Sequence, residues 1–127
     1  MSKKIISTKD APAAIGPYSQ AVQAGPFLFC SGQIPLVPST GLLVSPNVKE
    51  QAEQVLQNVI AVLKAGGATL DHVVKSTIFL KSMGDFATVN EVYGSYFKAN
   101  PPARSTVEVA RLPKDVLVEI EVLAYLG

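Results

Sequence analysis

Arg104, Thr106 and Glu108 alternate with small and apolar residues in one short run, and Glu119 and Glu121 alternate with Val118, Ile120 and Val122 in another. Both runs have the period of a half-buried strand. Joined through Arg111–Asp115, they read as a closing hairpin with arms from Ala103 to Ala110 and from Val116 to Leu126. A register that keeps Val107, Val109, Val118, Ile120 and Val122 on one side gathers Arg104, Thr106, Glu108, Glu119 and Glu121 on the other. Its parity is set because a one-residue slip flips a whole arm. One guanidinium beside several carboxylates on a rigid surface suits binding and turning over a small anion. A solvated polar face with weak surface ion pairs has the same pattern, so the pattern alone leaves both readings open.

Other reactive sets are thin. His72 is the only histidine and Cys30 the only cysteine, so one chain cannot assemble a zinc-type nitrogen and sulfur ligand set. A nucleophile paired with His72 lacks any suitable spacing. Cys30, between Phe29 and Ser31 in an apolar run, reads as a buried structural thiol. Gly66-Gly67 falls at a helix C-terminus, where the dipole repels phosphate. Gly32, at a strand end, marks either a close backbone approach to a ligand or a bulge. Chemistry therefore rests on carboxylates, arginine, tyrosine, hydroxyls and backbone amides. That set suits addition of water to an already electrophilic substrate, with no metal and no cofactor.

The chain of 127 residues reads as one domain, 1–127, with a net charge of +1 and 17% charged residues. That balance carries no footprint for nucleic acid or an anionic membrane surface. A hydrophobic share of 48% is high for a small soluble monomer, which predicts apolar surface facing another subunit. No apolar run reaches the ~20 residues of a membrane helix. The start lacks a secretory stretch, so a cytoplasmic location is expected, or a mitochondrial one if a leader was removed.

The elements that must position the chemistry follow from periodicity and punctuation. Tyr18 to Ala24 and Phe27 to Gln33 read as strands around the tight connection Gly25-Pro26. A Pro/Ser/Gly loop runs to about Pro46, and Asn47 with Glu50 resembles a capping box. Ala52, Val55, Leu56, Val59, Val62 and Leu63 follow helical spacing up to Gly66-Gly67. Val73 to Lys81 reads as a strand. A second helix with Phe86, Val89, Tyr93 and Tyr96/Phe97 as its stripe ends at Asn100-Pro101-Pro102. The order ββαβαββ predicts an α+β layer fold, with helices covering one sheet face.

Four segments carry a family resemblance: Gly16-Pro17-Tyr18-Ser19-Gln20-Ala21, Ser31-Gly32-Gln33-Ile34-Pro35, Phe86-Ala87-Thr88-Val89-Asn90, and Pro102-Ala103-Arg104-Ser105 continuing to Asp115. In order and spacing they resemble the Rid proteins, the YjgF-like reactive intermediate deaminases, over about Ala11 to Glu121. The resemblance implies a chorismate-mutase-like mixed sheet with two helices on one face, assembled as a homotrimer with clefts between subunits. It implies cofactor-free hydrolysis of 2-imino acids, formed from enamines such as 2-aminoacrylate, to 2-oxo acids and ammonia. Carried over by position, Arg104 would clamp the substrate carboxylate and Glu119 would hold or activate water. Tyr18, Ser31, Gly32 and Asn90 would line the cleft, with Thr106 in its wall. Thr106 stands where many bacterial members have cysteine. Two other readings remain: a module that senses a small carboxylate without turnover, and a ribonuclease or translation inhibitor, for which the chain lacks a basic groove and a histidine pair.

Overall fold

The computed structural model describes residues 2–127. Its strands are β1 (Lys4–Ile6), β2 (Ala21–Ala24), β3 (Phe27–Gln33), β4 (Val73–Leu80), β5 (Ala103–Glu108) and β6 (Val118–Tyr125); its helices are α1 (Val48–Ala65) and α2 (Phe86–Tyr96). They form a single six-stranded sheet in the order β1-β2-β3-β6-β4-β5. Every pairing is antiparallel except β4 with β5, so the sheet is mixed.

Local chemistry accounts for most boundaries. Gly25 takes a left-handed φ of 59°, a conformation open to glycine, and the two-residue turn sets Ala24 opposite Phe27. The Asn47 side chain accepts a hydrogen bond from the Glu50 amide at 3.0 Å, capping α1; the return bond of a capping box is replaced, since the Asn47 amide donates to Ser45 Oγ at 3.1 Å. Buried Ala52, Val55, Leu56, Val59, Val62 and Leu63 form the face of α1 that meets the sheet. Leu28, Cys30, Ile78, Leu80, Val118, Ile120, Val122 and Ala124 supply the other half of the core. α2 packs on the same side, where the Tyr93 hydroxyl lies 2.6 Å from that of buried Ser76 on β4. Among the described residues neither α1 nor α2 covers the opposite sheet face, which leaves Phe27, Phe29, Val107 and Tyr125 exposed.

The structure corrects the hairpin. β5 and β6 do not pair; β4 lies between them, bonded in parallel to β5 and antiparallel to β6. The physical reason is burial. β6 alternates fully buried with half-exposed positions and takes a central place, whereas β5 has no fully buried residue and takes the edge. The connection from Val109 to Leu117 is long enough to step over β4, and only very short loops force neighbouring strands to pair. Parity changes with it. Ser76 is level with both Arg104 and Val122, and Ile78 with both Thr106 and Ile120. Arg104, Thr106 and Glu108 therefore share the helix-covered face with Val118, Ile120 and Val122. Glu119 and Glu121 share the open face with Val107.

Two smaller corrections concern the N-terminal end. Lys4–Ile6 forms an additional strand against β2, so the order is βββαβαββ; three residues are too few to show a period. The strand expected from Tyr18 begins at Ala21, after a non-repetitive stretch.

Candidate active site

The helix-side half of the site is built around Arg104. Its backbone lies on the edge strand β5, and its side chain crosses to α2, where Phe86, Asn90 and Tyr93 follow one another along one helix face. The guanidinium carbon sits 5.0 Å from the centre of the Tyr93 ring and 5.7 Å from that of Phe86. Nη1 donates to the Asn90 carboxamide oxygen at 2.8 Å. Among the described residues no carboxylate lies within ion-pair distance of Arg104; the recorded pair joins Arg111 to Asp115. The cation is thus held by an amide and two π faces, with its charge uncompensated and most of its donor fork free. Such a group suits a planar carboxylate, which accepts the fork in two parallel bonds. Thr106 lies two residues along the same strand face, and its hydroxyl is buried without a hydrogen-bond partner. Glu108, further along, accepts from the Met83 amide at 2.7 Å and serves the turn before α2.

The open-face half is built around Glu119. Its carboxylate lies against the backbone of Gly32, where β3 is bulged between Cys30 and Gln33. A Cβ at Gly32 would collide with that carboxylate, so this glycine marks a bulge whose bare backbone is approached by the Glu119 side chain. Burial pushes the Glu119 pKa above the ordinary glutamate value, and the charge of Glu121 pushes it in the same direction. Glu119, Gly32, Ser31, Tyr18, Ile15 and Pro12 line a cavity of about 470 Å³. The Ser31 hydroxyl donates to the Ser19 carbonyl at 2.6 Å.

One wall of that cavity depends on Gln20, which the site assignment from sequence passed over although it lies within a quoted motif. Its buried carboxamide accepts from the Thr8 amide at 2.7 Å and donates to the carbonyls of Thr8 at 3.0 Å and Pro12 at 2.8 Å. It staples segment 8–12 beside the cavity. A buried glutamine with all its groups satisfied has no sequence signature beyond its type.

The pattern of this sheet, these helices and these residues recurs in known proteins. The profile of the family described as Endoribonuclease L-PSP, which covers the YjgF-like or Rid proteins, matches residues 8–126. This chain belongs to the Rid family. A RutC family protein of Pyrococcus horikoshii is 56% identical over 123 residues, covering 97% of this chain and 98% of its own length. The human 2-iminobutanoate/2-iminopropanoate deaminase is 50% identical over 125 residues, 98% of this chain and 91% of that protein. The crystal structure of E. coli TdcF with bound serine superposes with a TM-score of 0.94 at 48% identity, covering 98% of this chain and 99% of the other. The single mixed-sheet domain with two helices is thus the Rid architecture.

Within one Rid chain the expected site residues separate into two groups. Tyr18, Ser31, Gly32 and Glu119 come together around the cavity. Arg104, Asn90 and Thr106 come together on the other face of the sheet. Asn90 hydrogen-bonds Arg104 itself and so restrains the guanidinium. The thiol of Cys30 is buried and pushed up to about 12 by burial, which leaves it protonated at neutral pH. His72 Nδ1 accepts from the Thr69 amide at 3.0 Å and closes a short turn. No helix of the described chain is long and apolar enough to cross a membrane.

Proposed function

We propose that this chain is a deaminase that hydrolyses 2-imino acids to 2-oxo acids and ammonia at a site completed between two copies. The observation that carries the reading is Arg104: a guanidinium spread over two aromatic rings, tied to an amide and left without a carboxylate partner. The names and contents of the relatives support it. The human relative is named for two imino acids, and the TdcF structure holds serine, whose carboxylate is the group an arginine fork takes.

The chemistry follows from the groups available. Arg104 fixes the substrate carboxylate, which aligns the adjacent C=N carbon. An ionised Glu119 takes a proton from water as the oxygen bonds to the carbon of the protonated imine and the C=N electron pair moves to nitrogen, giving a neutral carbinolamine. Glu119 then passes that proton to the amine nitrogen; the C–N bond breaks as the hydroxyl oxygen gives its proton back to Glu119 and forms the C=O of the 2-oxo acid, and the departing ammonia takes that proton away as ammonium. Positioned proton transfer of this kind contributes roughly 10²–10⁴ in rate. A carboxylate whose pKa is raised by burial is a stronger base than a solvated one once ionised.

Arg104 and Glu119 occupy opposite sheet faces, so one chain cannot aim both at one imine carbon. Arg104 of one copy would meet the Glu119 cavity of the next. The exposed Phe27, Phe29, Val107 and Tyr125 provide an apolar face for that assembly. A contact between two different patches is heterologous and forms a ring when its rotation closes, and the homotrimer suggested by the resemblance is such a ring. The test is to mix Arg104→Ala and Glu119→Gln chains by co-expression. Each variant alone should be nearly inactive, while random assembly of equal amounts rebuilds about one intact site in four. Ammonia and oxo-acid release beside a threonine or serine dehydratase reads the result. Mixtures as inactive as their parents would overturn the shared site.

A further inference from the structure

Ser76 on β4 and Tyr93 on α2 are a hydrogen-bonded pair of buried hydroxyls. Ser76 is 1% exposed and Tyr93 4% exposed, and their oxygens are 2.6 Å apart. Replacing both partners of a buried pair by apolar groups is often nearly neutral for stability, so packing alone does not call for hydroxyls here. Their placement has a directional consequence. Ser76 lies level with Arg104 across the parallel β4·β5 pairing. Its hydroxyl holds the far end of the Tyr93 ring at the level of the arginine. The ring also stacks on Phe97, with centroids 4.5 Å apart and planes 26° from parallel. Held at its tip by Ser76 and packed on Phe97, the ring cannot swing, and the guanidinium lies 5.0 Å from its centre.

We infer that Tyr93, anchored by Ser76, is a positioning residue that orients the Arg104 guanidinium for its ligand. The attraction between a cation and a ring depends on the ring presenting its face. Asn90 then restrains one nitrogen at 2.8 Å and sets the twist of the plane about the side-chain axis. The ring supplies support without neutralising charge, which an acidic residue in its place would do. The burial-driven rise in the Tyr93 pKa, opposed in part by the Ser76 hydrogen bond and the Arg104 charge, agrees with a neutral phenol packed against a cation. The functional part of this inference rests on the deaminase reading; the geometric part does not.

The experiment therefore has two readouts, applied to the wild type, Tyr93→Leu, Tyr93→Phe and Ser76→Ala. The first is the NMR position of the Arg104 guanidinium N–H signals, assigned by their loss in Arg104→Lys. A ring beneath the group displaces them by its ring current. Tyr93→Leu should abolish that displacement, and the two milder variants should reduce it. The second is the division between KM and kcat for 2-iminobutanoate, with inhibition by 2-oxobutanoate as a binding measure that needs no turnover. Tyr93→Leu should raise KM and the inhibition constant by about 2- to 30-fold, the span of a cation–π contact from exposed to desolvated. kcat should stay within about threefold, because Glu119 and its water are untouched. Tyr93→Phe and Ser76→Ala should fall between, since a ring remains without its anchor.

Wild-type N–H positions and wild-type KM in Tyr93→Leu would overturn the inference, as would a fall in kcat at constant KM. If Tyr93→Leu does not fold, the two milder variants decide by the same criteria. Wild-type protein with no imine turnover would sink the deaminase reading instead, and the N–H displacement would still decide whether Tyr93 positions Arg104.

Discussion

Arg104 stands exposed at the sheet edge and is held by neutral groups, an amide and two aromatic faces. Glu119 lies half-buried near the middle of the sheet, against the bare backbone of Gly32, and burial has raised its pKa. The two arrangements prepare opposite properties. The cation keeps its full charge and most of its donors unengaged, because no carboxylate among the described residues pairs with it. The carboxylate gives up solvation and gains basicity. Their separation on two faces of one sheet lets each be tuned without the other. Placed side by side in one chain they would form an ion pair, which would occupy the fork and lower the pKa of the acid.

That contrast can be broken most sharply at the carboxylate. Glu119→Gln keeps shape and removes the base, so kcat should fall by roughly 10²–10⁴ with binding of a 2-oxo acid retained. A protein that loses binding and turnover together would show that Glu119 holds the ligand rather than the water. Arg104→Ala should lower kcat/KM by about 30-fold to a few thousand-fold, the effect of removing one side of a partly desolvated charge pair. Arg104→Lys should recover only part, since it keeps charge without the planar fork. Near-normal activity in Arg104→Ala would remove the clamp from the mechanism.

Gly32→Ala is a subtler probe, because it leaves both charged groups in place. The added Cβ must displace the Glu119 carboxylate, and a shift near 1 Å costs on the order of 10² in rate. Steady-state kinetics with a thermal melt would separate this from general damage, and unchanged kcat would mean that the carboxylate position is not critical.

The smallest effect concerns pH. The Glu119 pKa lies above the ordinary glutamate value, so the acid limb of kcat/KM should be displaced upward from that value and should disappear with Glu119→Gln. Stability should follow the same group. Between the ordinary and the raised pKa the folded chain binds more protons than the unfolded one, so this group's contribution falls as pH rises through that window. Denaturant titrations across the window should therefore favour Glu119→Gln increasingly over the wild type. A constant difference between the two would contradict a desolvated Glu119.

Much of the fold was legible because its signals are local. The Gly25-Pro26 turn, the Asn47 cap and the α1 stripe each depend on residues within a few positions of one another, and each appears where expected. The hairpin failed for the opposite reason. Alternation in β5 and β6 identified two strands, but which neighbour a strand pairs with depends on burial across the whole sheet. There β6, apolar on its covered face, outcompeted the polar β5 for the centre. The sequence and the family motifs put forward residue types and candidate members for a site. Its geometry was not legible in them.

The chain by itself determined both helices, five of the six strands and the face of each helix that is buried, because periodicity, caps and turn residues act over short distances. Only the tertiary structure decided that β4 separates β5 from β6. That placement sets Arg104 over Tyr93 on the helix side and Glu119 against Gly32 on the open side. The physical reason is that strand order is chosen by competition for buried, doubly hydrogen-bonded positions, and that competition involves every strand at once.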